Sequence, residues 1–420
     1  MSDPCTIIYI HHEKALGGAP LSLLYLLRQL DRAKYSPQIL CLQEGPAADL
    51  FRKNGFPVQI VPGPDLSHTE LVWFRWWQFH KLFWRFLSSI LLFFRLRQSL
   101  LSIRNELSSL SPNLPPPSTP TFQPLVHLNS STLLVGALAA KSLGLPVIWH
   151  IREPLARGYL GIRRGILRLA IYFLPDQIIA ISRYDAAQLG SIASAASNKS
   201  TVIHNFVDFS EFKAVQPNGP LRTELNIPTD APLILFLGGS ARVKGADVLL
   251  QAAPSILGSL RTAHLLIAGE TSPEFQLKAT TAQLSPFRNR LHLLGHRHDI
   301  PSLLSNACVL LFPSTVPHFA RPVIEAAAMA RPVIASDLGG VRELVIKNET
   351  GILIPPNNPV ELSRAVIELV QDEPRACRLG QQGLTLAQER FDAQQNAAAT
   401  VAIYERMLKP VPRSNPVEKT

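Results

Sequence analysis

The sequence predicts two successive doubly wound, Rossmann-like α/β domains, each a parallel sheet with helices on both faces, meeting at a cleft. Three observations carry this prediction. The chain has 420 residues, enough for two or three domains at roughly 100–200 residues each. Short runs that are nearly continuous in Ile, Val and Leu alternate with helical stretches, the pattern of strands buried on both faces. The same rhythm then restarts at Pro232.

Taken in order, TIIYI at 6–10 is the first strand, and the turn holding Gly17 and Gly18 leads into the helix PLSLLYLLRQL. PQILCL, PVQIVP, PLVHL, PVIWHI and DQIIAIS follow as strands of a first domain spanning 1–208. Polar and turn residues at 209–220 mark a linker. The second domain, 221–392, repeats the pattern with PLILFLGG, AHLLIAG, RLHLLG, ACVLLFPS, PVIAS and GILIP. AQQNAAATVAIYERML at 393–408 is a closing helix, and 409–420 is a tail without periodicity. A ligand is expected at the carboxyl ends of the strands, so strand-to-helix turns matter most.

Two segments break the rhythm. The stretch 108–124 is proline-rich and predicts an extended loop. Leu71–Leu101 holds four of the five Trp, six Phe and the cations Arg75, Lys81, Arg85, Arg95 and Arg97, with no acid. Its longest uncharged run, Phe86–Phe94, is nine residues, against the ~20 of a spanning helix, so no bilayer crossing is expected. A segment lying on an anionic membrane surface fits the composition; helices packed on the first domain with their cations snorkelling are the alternative. Nucleic acid is not expected as a partner, because no RNA-binding signature accompanies the aromatics.

The chain carries 41 Lys and Arg against 31 Asp and Glu, a net charge of +10, with only 17% charged residues. That balance points to lipid or a phosphorylated ligand once nucleic acid is set aside. Cys5, Cys41, Cys308 and Cys377 lie far apart without metal-binding spacing, and MSDPCTIIYIHH lacks an export signal. A cytoplasmic location, peripheral on the cytosolic face of the membrane, is the expectation.

Chemistry concentrates on glycine turns. Gly17 and Gly18 precede a helix whose N–H groups attract anions. In LILFLGGSARVKGADVLLQAA a strand runs into Gly238 and Gly239, then Arg242 and Lys244, placing two cations beside a glycine turn. In the stretch Leu310–Pro356, Glu325 is placed between a strand and the helix IEAAAMA, and Gly339 and Gly340 form a further turn. A helix N-terminus favours a carboxylate, so capping is the plain reading of Glu325. Phosphates on N–H groups and cations, with ribose hydroxyls on an acid, are the functional reading.

The order of these motifs resembles the retaining GT-B glycosyltransferases of the family-4 group. The resemblance runs through the Gly17-Gly18 loop, VHLNSSTLLVGALAAKSLGLPVIWHIRE at 126–153, DQIIAIS, TVIHNFVD at 201–208, the Lys244-Gly245 turn and EAAAMARPVIASDLGGVRELV at 325–345. It implies transfer of a sugar from a nucleoside diphosphate sugar to a hydroxyl of a glycan or lipid-linked acceptor, in polysaccharide or glycolipid synthesis. It assigns His150 to the transferred sugar, Lys244 to the diphosphate, Glu325 to the ribose, and Gly339 and Gly340 to the loop approaching the donor. Neither a metal nor a cofactor is expected, and no DxD occurs.

Two positions depart from the pattern. Pro317 stands where the first acid of the Glu-x7-Glu motif belongs, with His318 adjacent; Gly239 stands where an arginine belongs, with Arg242 nearby to compensate. A catalytically silent GT-B scaffold in a membrane-bound assembly machine, or another nucleotide-sugar enzyme on the same fold, is therefore the alternative.

Overall fold

The computed structural model of the chain describes residues 4–64, 66, 79–110, 123–190, 197–213, 220–281 and 283–408. It divides into two compact units. Unit 1 comprises Met1–Ile181, Asp185–Ile203 and Ala397–Thr420; unit 2 comprises Ser182–Tyr184 and His204–Asn396.

Unit 1 is built on β1 (Cys5–His11), β2 (Tyr35–Cys41), β3 (Val58–Ile60), β4 (Leu125–Leu128), β5 (Val147–Ile151), β6 (Gln177–Ala180) and β7 (Ser200–Val202). These pair in the order β3-β2-β1-β4-β5-β6-β7, every described ladder being parallel. Unit 2 holds β8 (Leu233–Phe236), β9 (His264–Ala268), β10 (Leu291–Gly295), β11 (Val309–Phe312), β12 (Val333–Ser336) and β13 (Gly351–Ile354). They lie in the order β10-β9-β8-β11-β12-β13 and are again parallel. The apolar runs have their physical cause here: alternate residues Ile8, Ile10, Val126, Leu128, Val147 and Trp149 meet one helix layer, while Ile7 and Tyr9 are buried on the other side. A strand covered on both faces has no polar face to alternate with.

That first layer consists of α3 (Phe79–Leu110), α4 (Leu134–Ser142) and α5 (Ile162–Phe173). α3 continues through 108–110, so the loop expected from Ser108 starts later; 111–122 lies outside the described residues, as do 67–78, 214–219 and 409–420. Leu92, Leu96 and Leu100, one residue per turn, are buried in the unit 1 core. The Arg104 guanidinium donates to the Leu143 carbonyl at 3.2 Å, and the Gln59 amide to Ser99 Oγ at 3.1 Å. Counting uncharged residues understated this helix: Phe83–Ser109, 27 residues, is long and apolar enough by length and composition to cross a membrane. Its packing instead commits one face to unit 1 and turns Phe83, Trp84, Phe86, Ile90, Leu91 and Phe94 outward. The packed alternative thus holds for one face of this helix within 79–101, and the opposite face is apolar and exposed.

Unit 2 recruits Ser182–Tyr184 through one carboxylate. Glu343 accepts from the N–H groups of Arg183 and Tyr184, each at 2.9 Å, and from His204 Nε2 at 3.1 Å. Burial works to raise the Glu343 carboxyl, but these hydrogen bonds outweigh it and hold the group below its ordinary value.

Leu96→Ala should cost about 2–5 kcal/mol through the cavity it leaves, whereas Leu91→Ala, on the exposed face, should stay within about 0.5 kcal/mol; urea unfolding of the two variants measures both. Glu343→Gln should destabilise the protein at pH 7 by about 1–2 kcal/mol. Because the folded carboxyl takes up its proton at lower pH than the unfolded one, wild-type stability should fall as pH drops through the ordinary carboxyl range towards the folded value. Urea titrations at pH 7 and pH 4 should show a flatter acid side for the variant.

Candidate functional site

In unit 2 the order of strands reverses between β8 and β11, the place where the loops leaving neighbouring strands diverge and a ligand can enter. The loop after β8 is pinned there by backbone contact. Gly239 has φ +53°, and a Cβ on it would lie 2.3 Å from the Glu270 carbonyl; Gly245 has φ +90°, and a Cβ there would lie 1.9 Å from the Pro313 carbonyl. Only glycine fits either place. The short helical turn Arg242–Lys244 is therefore seated against the chain leaving β11, where the Thr315 N–H donates to the Val243 carbonyl at 3.0 Å.

Lys244 and Glu325 are brought into electrostatic contact by this seating. Burial pulls the Lys244 ammonium below its ordinary value, and the Glu325 carboxylate opposes the shift. Glu325 is not a cap: its helix, Arg321–Ala328, begins three residues before the Ile324 that opens IEAAAMA, and its side chain accepts from Arg321 Nε at 2.6 Å. Both partners are about nine-tenths buried, with side chains 9% and 11% exposed. Arg242 goes elsewhere. Its side chain is 71% exposed and pairs with Asp247 at 3.4 Å and Glu274 at 3.2 Å.

Gly339 has φ +50°, and a Cβ on it would meet Pro317 Cβ at 2.7 Å, while one on Gly340 would meet Phe319 and Ser182 at 3.2 Å. The ring of Pro317 thus lies directly beneath the glycine turn. His318 Nδ1 donates to the Val316 carbonyl at 3.1 Å and lies 3.2 Å from Ser314 Oγ, so its proton belongs on Nδ1 and Nε2 is the acceptor. Gly239, Gly245, Lys244, Glu325, Pro317 and Gly339 share the carboxyl edge of this sheet. A separate recess at the opposite, amino ends of β8 and β11 is lined by Arg222, Asp230, Cys308 and Arg331. There Arg222 donates to the carbonyls of Pro228 and Ala231, and Arg331 to that of Ser305, so these cations serve the fold.

Unit 1 gathers a second polar cluster at its own switch between β1 and β4. Arg152 Nε donates to Asn129 Oδ1 at 2.5 Å, and Asn129 Nδ2 donates to His11 Nδ1 at 3.1 Å. Burial draws the Arg152 guanidinium down to about 10, so it stays charged at neutral pH. Glu153 Oε2 accepts from Ser130 Oγ at 3.0 Å and from the Ser131 N–H at 2.9 Å. Gly17 and Gly18 open α1 (Gly18–Arg28), and a Cβ on Gly17 would sit 3.0 Å from Glu13 Oε2. Burial, aided by Glu153 and opposed by Arg152, pushes the Glu13 carboxyl up to about 8.

His150 is the penultimate residue of β5, with 3% exposure. Its Nδ1 is 3.1 Å from His127 Nε2, and His127 Nδ1 is 2.7 Å from the Tyr404 hydroxyl. Sequence reasoning missed Arg321, Glu13, His127 and Tyr404. Arg321 was within reach, since it stands four residues before Glu325 on one helix. Tyr404 was not, being 277 residues from His127.

The segment 124–211 matches the family Glycosyltransferase Family 4, and 219–385 matches Glycosyl transferases group 1. The chain is 30% identical over 242 residues to a D-inositol 3-phosphate glycosyltransferase of Xylanimonas cellulosilytica, 56% of this chain and 58% of that protein. It is 26% identical over 180 residues to the alpha-D-kanosaminyltransferase of Streptomyces kanamyceticus, covering 42% and 46%. The chain thus spans about half the length of the curated relatives it matches. Among solved structures, Anabaena Alr3699/HepE in complex with UDP-glucose has a TM-score of 0.74 at 19% identity, covering 95% of this chain and 99% of that one. WaaG, a glycosyltransferase involved in lipopolysaccharide biosynthesis, has a TM-score of 0.65 at 15% identity, covering 94% and 99%. A glycosyltransferase family match thus falls in each half of the chain, and both units have the fold of these solved structures, that of the GT-B glycosyltransferases.

Proposed function

We propose that this chain transfers a glycosyl group from a nucleoside diphosphate sugar to a hydroxyl of a glycan or lipid-linked acceptor, with retention, in polysaccharide or glycolipid synthesis. The observation that carries the reading is Lys244, partly desolvated and facing Glu325 beside glycine turns at the switch point of unit 2. Lys244 neutralises charge developing on the diphosphate as the bond from the anomeric carbon to phosphate oxygen breaks. Glu325, oriented by Arg321, accepts hydrogen bonds from ribose hydroxyls. Gly339 and Gly340 let backbone approach the donor, the Gly17-Gly18 turn offers a helix N-terminus to its charge, and His150 and His318 Nε2 serve sugar hydroxyls. Arg242 supplements the positive field, although its ion pairs weaken that part. The acceptor oxygen bonds the anomeric carbon on the face the diphosphate leaves, and its proton departs with the nucleoside diphosphate. No metal enters this scheme. The solved complexes of HepE with UDP and UDP-glucose support the donor class.

One observation favours a second reading. The Pro317 ring packed against Gly339 occupies the position of the motif's missing acid, which fits a scaffold that binds nucleotide without turning it over.

The protein would work on an anionic membrane at the cytosolic face, through the segment 71–101. The exposed aromatics of α3 support this, and α5 adds to it. On α5, Ile162, Ile166, Leu169 and Phe173 recur at the spacing of one helical face and are all more than half exposed, alongside Arg163, Arg164 and Arg168 and no acid. Every exposed large hydrophobic side chain in the described part of unit 1 lies on α3, α4, α5 or, as Leu160, just before α5.

Lys244→Ala should lower transfer or hydrolysis of UDP-glucose by roughly a hundredfold or more with unchanged unfolding, while Arg242→Ala should cost less than tenfold. Equal rates for wild type and Lys244→Ala would remove the phosphate role, and calorimetry showing UDP binding without turnover would favour the scaffold. Wild type should float with phosphatidylglycerol vesicles and not with phosphatidylcholine, and Trp84, Phe86 and Phe94 changed together to Ser should abolish flotation. Flotation unaffected by that change would take lipid binding away from α3.

A further inference from the structure

The recess at the amino ends of β8 and β11, on the edge of the unit 2 sheet opposite Lys244, holds two cations without a counter-charge. Its volume is about 360 Å³, within the roughly 300–1,000 Å³ of small-molecule sites. Arg222, before β8, and Arg331, before β12, both line it. Each commits one terminal nitrogen to the fold. Arg222 Nη1 donates to the Pro228 and Ala231 carbonyls at 2.6 and 3.0 Å, and Arg331 Nη2 to the Ser305 carbonyl at 2.8 Å. Such bonds orient a guanidinium without neutralising it. The other terminal nitrogens, Arg222 Nη2 and Arg331 Nη1, have no hydrogen-bond partner among the described residues and stay accessible, while Nε of each arginine is buried without one.

The surroundings supply no balancing charge. Asp230 and Glu373 also line the recess, but both are exposed, and among the described residues neither forms an ion pair with Arg222 or Arg331; Asp230 acts on Arg222 only at longer range. Cys308 is close enough to feel both guanidiniums, yet its thiol donates to the Leu233 carbonyl at 3.2 Å and burial pushes it up to about 11, so it is uncharged at neutral pH. Burial pulls both arginines below their ordinary value, although a guanidinium remains charged. His264, at the start of β9, is pushed down to about 4 by burial, with His292, Arg290 and Arg222 adding to the effect, so the field at this edge is positive. A partly buried charge with neither an ionic partner nor its full set of hydrogen bonds carries a desolvation cost that a bound anion removes. Two guanidiniums, each with a free terminal nitrogen, match a dianion with several acceptor oxygens. Pro232, Leu369 and Val370 add an apolar wall that an organic group attached to it can cover.

We propose that this recess binds a phosphate group, as inorganic phosphate or as the head of a phosphate monoester, through Arg222 Nη2 and Arg331 Nη1, separately from the site at Lys244. The proposal does not depend on the glycosyl-transfer reading.

Equilibrium dialysis of the full chain against radiolabelled inorganic phosphate, with ionic strength held constant by sodium chloride, tests it. Wild type should bind phosphate saturably, and Lys244→Ala should retain that binding because Lys244 lies at the other edge of the sheet. Arg331→Gln should weaken it by about tenfold or more, the effect of losing a charge-assisted hydrogen bond. Ala376→Glu, which adds a carboxylate to the recess wall and leaves both arginines in place, should weaken it at least as much, and it decides the matter if Arg331→Gln fails to fold. Unlabelled glucose 6-phosphate as competitor separates the two sources: displacement at lower concentration than unlabelled phosphate assigns the recess to an ester, and weaker displacement assigns it to inorganic phosphate. Absence of saturable binding at millimolar phosphate, loss of binding in Lys244→Ala, or binding unchanged in Ala376→Glu overturns the proposal.

Discussion

Every described strand in both sheets runs parallel to its neighbours, so all strands of a sheet end on the same edge. The rest of the molecule depends on that constraint. Parallel strands must be linked by crossovers, which cover both faces and exclude water from them. Loops of unrelated sequence are then delivered to one edge, and the reversal of strand order opens a gap among them. Lys244 after β8, Glu325 after β11 and Gly339 after β12 meet for that reason alone. The equivalent edge of unit 1 collects His11 from β1, Asn129 after β4 and His150 from β5.

Placing charge at such an edge carries a desolvation cost, and this protein meets it with local pairs. Arg321 sits one turn before Glu325 and holds it through a 2.6 Å bond in a nearly dry setting, while Glu325 in turn offsets the burial of Lys244. Arg152 rests on Asn129. Removing one member of such a pair leaves its partner buried and uncompensated, so these residues hold geometry as well as charge. The glycine turns make the same point sterically. Gly245 and Gly239 are where backbone meets backbone, and a side chain at either would force the Lys244 turn away from β11.

The strands and turns were legible because their signals are local. Short runs rich in Ile, Leu and Val mark the strands, unbroken in β8 (LILF) and β11 (VLLF) and interrupted by a single His in β4, β5 and β10, while β3 and β7 have only three residues each. Gly17, Gly239 and Gly339 announce turns, and spacing along the chain relates Lys244, Glu325 and Gly339 to one another. The long aromatic helix was read less well. Charge counting along α3 could not reveal that Leu92, Leu96 and Leu100 bury one face while the opposite face stays apolar and exposed. A helix apolar on both sides has no clear moment, so its orientation is set by what it packs against rather than by its own pattern.

The sequence by itself determined the fold class, the two repeats of the parallel-sheet rhythm and the glycine-and-cation turns, since each is written in residues near one another along the chain. Tertiary structure alone decided the partners. That Glu325 pairs with Arg321 rather than capping a helix, that Arg242 turns towards Asp247 and Glu274, and that Pro317 lies under Gly339 depend on side-chain directions set by packing. The junction of Tyr404 with His127, across 277 residues, is the extreme case. A hydrogen bond between buried groups forms where the fold places a donor within 3 Å or so of an acceptor, and no spacing along the chain encodes that distance.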